Sequence, residues 1–105
     1  MIHDVLPFID DCRQRQEQVG LATVVRTYGS APRQVGAKMA VSASGAVAGS
    51  VSGGCVEGAV FDALQEVIAG GRSRLLHFGV ADEQAWEVGL ACGGQIDVFV
   101  ERLDW

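Results

Sequence analysis

The sequence predicts an α+β fold, with about five strands in a mixed sheet and two main helices, in a single domain over residues 1–105. Three observations support this. A chain of 105 residues can build one hydrophobic core but is short for two. Its residues are 49% apolar, which excludes a disordered chain. The apolar spacing also switches along the chain, following a helical period in two stretches and strand-like alternation elsewhere.

Asp4 to Gln18 reads as the first helix, because Val5, Ile9, Cys12 and Val19 fall near one stripe. Pro7 suits this helix if it sits in the first turn. Asp4, Asp10 and Asp11 precede Arg13 and Arg15, which matches the helix dipole. Cys12 on the apolar stripe is expected to pack as a small hydrophobe. Gly20 to Tyr28, rich in β-branched residues, reads as a strand. Gly29 to Gly36 is a loop by its Gly and Pro content. Ala37 to Ser42 and Gly45 to Ser50 are the next two strands, joined by a turn at Ser44-Gly45.

Cys55 to Ala69 reads as the second helix, with Val56, Val60, Leu64, Val67 and Ile68 on one face. Gly70-Gly71 supplies its stop. Ser73 to Gly79 is the fourth strand. Asp82 caps a short helix through Glu87, ended by Gly89. Gln95 to Arg102 is the last strand, where Ile96, Val98 and Val100 alternate with Asp97 and Glu101.

The formal net charge of −5 argues against general affinity for nucleic acid. No run approaches the roughly 20 apolar residues of a membrane span, and the start of the chain lacks the pattern of a secretory signal. The expectation is a cytoplasmic protein with no membrane partner. Its three cysteines, Cys12, Cys55 and Cys92, are then reduced, and an odd number argues against a disulfide framework.

Two segments carry the chemistry, Gly49-Ser-Val-Ser-Gly-Gly-Cys-Val-Glu57 and Gly89-Leu-Ala-Cys-Gly-Gly94. Each sets a thiol beside a glycine pair, and glycine lets a backbone approach a bound group closely. The first runs into a helix, whose starting N–H groups favour a phosphate or carboxylate. A cysteine there is a better thiolate than a free one. The pattern points to an anionic, sulfur-reactive ligand. Ser52, Gly53 and Gly54 would cradle it, with Cys55, Cys92, Gly93 and Gly94 beside it. The first segment is not a P-loop, because Cys55 and Val56 stand where Lys and Ser or Thr are needed. Both segments also have an ordinary reading as turns joining helix and strand. Arg33 lies in Ser-Ala-Pro-Arg-Gln-Val-Gly-Ala-Lys38 and reads either as a solvated loop charge or as a bidentate phosphate clamp. A structural zinc site is disfavoured, since no C-x-x-C pair is present and His3 and His77 stand apart. His77 reads as a packed strand residue. Trp86 and Trp105 read as core and terminal residues.

Val25-Arg-Thr-Tyr-Gly-Ser-Ala-Pro-Arg33, Gly36-Ala-Lys-Met39 and the two glycine-cysteine segments together resemble the XdhC/CoxI family. These are accessory proteins of molybdenum hydroxylases such as xanthine dehydrogenase and carbon monoxide dehydrogenase. The resemblance implies a cofactor carrier rather than an enzyme. Its cargo is the molybdenum cofactor, which such proteins protect, help a cysteine desulfurase to sulfurate, and pass to the hydroxylase apo-enzyme. It also places Cys55 and Cys92 at the metal–sulfur end of that cargo. Typical members carry a further C-terminal domain of dinucleotide-binding type, so a separate second-domain chain is an expected partner, and self-association into a homodimer is expected. Two other classes stand beside this reading: a small cysteine-dependent enzyme acting on an anionic substrate, and a docking module that binds the molybdoenzyme without cofactor.

Overall fold

Seven elements follow one another in the computed structural model, which describes residues 2–28, 35–51, 56–78 and 95–103. They are α1 (Ile2–Gln14), β1 (Val19–Tyr28), β2 (Lys38–Ser42), β3 (Val47–Gly49), α2 (Glu57–Gly70), β4 (Arg74–Phe78) and β5 (Gln95–Leu103). The strands make one sheet in the order β3-β2-β1-β5-β4. The α+β class holds, but every neighbouring pair is antiparallel, not mixed. A helical crossover often joins parallel neighbours. Here α2 instead carries the chain from one sheet edge, β3, to the other, β4, where the new strand meets β5 head to tail.

Strand alternation divides the core between the two faces of the sheet. Ala22, Val24, Met39, Val41, Ile96, Val98 and Val100 turn to one face, where they meet Val60, Leu64 and Val67 of α2. Val19, Leu21 and Ala40 turn to the other, against Val5, Ile9 and Cys12 of α1. The second helix lies over β1, β5 and β2, and the first over β2 and β3. Gly20 lets α2 sit close on β1, since a Cβ there would come within 3.0 Å of Leu64 Cδ2.

The helix boundaries differ from the periodic reading in ways the chain explains. The first helix starts at Ile2, so Pro7 lies in its second turn and withholds one N–H from the helical ladder. It ends at Gln14, and Gln16 then adopts φ 59°, which turns the chain into β1. The second helix starts at Glu57, two residues later than its apolar pattern suggests. It stops at Gly71, whose φ of 73° and N–H bond to the Val67 carbonyl form a left-handed cap. The expected short helix from Asp82 to Glu87, Trp86 and Trp105 lie outside the described residues. Among the described residues, no helix is long and apolar enough to cross a membrane.

Cys12 is fully buried among the α1 core residues, and that burial pushes its thiol pKa up. It is therefore expected to resist iodoacetamide in the native chain and to react on unfolding. Mass spectrometry of alkylated peptides with and without urea checks this.

Candidate functional site

Strand direction decides where the chemistry-bearing segments leave the fold. Tyr28 at the end of β1 pairs with Gln95 at the start of β5. Phe78 at the end of β4 pairs with Ile96 beside it. On the other half of the sheet, Lys38 opens β2, and Gly49 closes β3 opposite Met39. All of these positions lie at the same end of the sheet. The chain departs from that end into residues 29–34, 52–55 and 79–94, and returns to it. These are the stretches that contain Arg33, then Ser52, Gly53, Gly54 and Cys55, then Cys92, Gly93 and Gly94. All eight candidate residues lie outside the described residues, so the structure describes their anchors and not the residues themselves.

The anchors of residues 52–55 are closely defined. Glu57, in the first turn of α2, reaches back to the exit of β3. Its carboxylate accepts the Ser50 hydroxyl at 2.6 Å and the Val51 N–H at 3.1 Å. Val51 and Val56, on either side of the segment, are both buried in the core under α2. Glu57 therefore ties the two ends of the segment together. The sequence pattern attaches Glu57 to the ligand motif, whereas the geometry commits its charge to the backbone. Gly49, the first residue of the same motif, also has a fold-level reason. It adopts φ 79°, and a Cβ there would lie 2.3 Å from the Lys38 carbonyl oxygen. That carbonyl accepts the Ser50 N–H at 3.0 Å.

The start of α2 fits an anionic group. Its N-cap residue, Val56, makes no side-chain cap to the first turn. Among the described residues, a Cβ on Gly58 in that turn would meet nothing within 4 Å. A helix start whose cap residue offers no side-chain acceptor presents the positive end of the helix dipole.

Of the basic residues in the 26–38 stretch, the described ones face the sheet surface opposite α2. Lys38 donates to the Thr23 hydroxyl at 3.0 Å. Arg26 approaches Asp97 at 4.0 Å. Asp97 is buried and also holds the imidazole of His77 through Nδ1. His77 is thus not a packed residue: its side chain is 49% exposed, with one nitrogen on a carboxylate. The pair is twenty positions apart in the chain, and the cross-strand partnership of β4 and β5 brings it together. The sequence signal for it is a charged residue at an otherwise apolar end of the last strand.

Comparison with known proteins defines the class. The model of the XdhC and CoxI family matches residues 12–79, and the chain belongs to that family. It is 36% identical over 97 residues to a probable xanthine dehydrogenase subunit of Bacillus subtilis, covering 90% of this chain and 29% of that protein. It is 41% identical over 85 residues to the molybdenum cofactor insertion chaperone PaoD of Escherichia coli, covering 79% of this chain and 26% of that one. The crystal structure of a xanthine dehydrogenase from Bacillus halodurans superposes with a TM-score of 0.76 at 27% identity, over 93% of this chain and 30% of that one. The chain thus spans less than a third of the length of these relatives.

Proposed function

We propose that this chain is an accessory protein that matures a molybdenum hydroxylase of xanthine-dehydrogenase type by binding the molybdenum cofactor. The observation that supports this reading is that the strand ends flanking residues 29–34, 52–55 and 79–94 lie at one end of the sheet. The Escherichia coli relative is named as a molybdenum cofactor insertion chaperone, which supports the cargo. The names of the Bacillus relatives support the client. The cargo is anionic and sulfur-bearing. The first turn of α2 and Arg33 would hold its phosphate, the Ser52-Gly53-Gly54 backbone would admit the flat ring system, and Cys55 and Cys92, with Gly93 and Gly94, would face the metal–sulfur end. In this reading the chain carries and protects its cargo without turning it over, and receives sulfur on it from a cysteine desulfurase. It hands the cargo to the apo-enzyme in the cytoplasm, with a second-domain chain completing the insertion.

The test is cofactor retention after anaerobic purification from cells that make the cofactor, read as bound molybdenum and pterin. Cys55→Ser is expected to retain roughly tenfold less than the wild type, because serine does not ionise near neutral pH and is a poor partner for a soft metal–sulfur centre. Cys12→Ser should retain it unchanged, since that thiol is buried against the α1 face of the sheet, away from the candidate segments. Equal retention by Cys55→Ser and the wild type removes Cys55 from the site, and no cofactor in any of them removes the reading.

The same reading includes a homodimer. Leu75 on edge strand β4 is 58% exposed and Val47 on edge strand β3 is 49% exposed, and exposed edges with apolar side chains favour pairing. Light scattering is expected to give roughly twice the chain mass of 11.1 kDa. The monomer mass at high concentration counts against it.

A further inference from the structure

We draw no further inference here: the strongest candidate, the open edge of the sheet at β4, where Leu75 and His77 are exposed, carries nothing, because nothing in the structure shows what covers it.

Discussion

Gly49→Ala is expected to destabilise the chain by roughly 3–5 kcal/mol, through a strained left-handed backbone and a forced clash. The methyl group would sit 2.3 Å from the Lys38 carbonyl oxygen and 2.7 Å from Val5 Cγ1. Neither can retreat cheaply. The carbonyl is backbone and already accepts the Ser50 N–H, and Val5 is fully buried between α1 and the sheet. A loss of that size is a large share of the total stability of a small domain and lowers Tm by roughly 15–30 °C. Gly45→Ala separates the two causes. Gly45 also has positive φ, at 102°, but a Cβ there meets nothing within 4 Å, so its cost should stay near the backbone strain alone, about 1–2 kcal/mol. Thermal melts of the two variants check the difference, and similar losses would show that the contact with Lys38 and Val5 contributes little.

Glu57→Ala carries the second large effect, about 2 kcal/mol of stability, in the range for hydrogen bonds to a charged group. The alanine leaves the Val51 N–H without its acceptor and releases the Ser50 hydroxyl from the carboxylate. The larger consequence falls on binding. With the start of α2 no longer tied to Ser50 and Val51, cofactor retention under the proposed function should fall further than stability does. Glu57→Gln keeps an acceptor oxygen and is expected to lose about half as much stability. Denaturant melts and molybdenum content, measured on the same samples, separate the effects. A Glu57→Ala protein with wild-type stability would show that the tie contributes nothing.

Much of the architecture can be read from side-chain periods. The alternation of Ile96, Val98 and Val100 places the last strand, and the stripe through Val60, Leu64 and Val67 places the second helix and its buried face. What stays hidden depends on partners distant in the chain. Two valines in a row, Val24 and Val25, look like uninterrupted strand, and the bulge at Val25 exists only relative to β5. His77 looks like a packed residue because neither Asp97 nor the exposure of the β4 edge is local to it. The antiparallel pairing of β4 is invisible for the same reason, since a helical connection does not reveal how far it crosses. Within the candidate site, Gly49 and Glu57 are visible as members of a motif, but their roles are not. Spacing shows that residues go together, and only the surrounding backbone shows whether they hold a ligand or hold the loop that would.

The strand order also sets a timetable for folding. Strand β1 is central, and its two neighbours come from opposite parts of the chain: β2 follows after a short connection, while β5 lies about seventy residues further on. During synthesis, β1, β2 and β3 can pair as soon as residue 49 has emerged, with α1 against them. One side of β1 must then remain without its partner until residues 95–103 appear, and β4 waits beside it for the same strand. Closing such a distant pairing is slow, and an open strand edge invites a wrong partner meanwhile. The nascent chain therefore passes through a half-sheet whose open side is the one later filled by β5, and ribosome-bound chains shorter than about 100 residues should be the form most prone to aggregation.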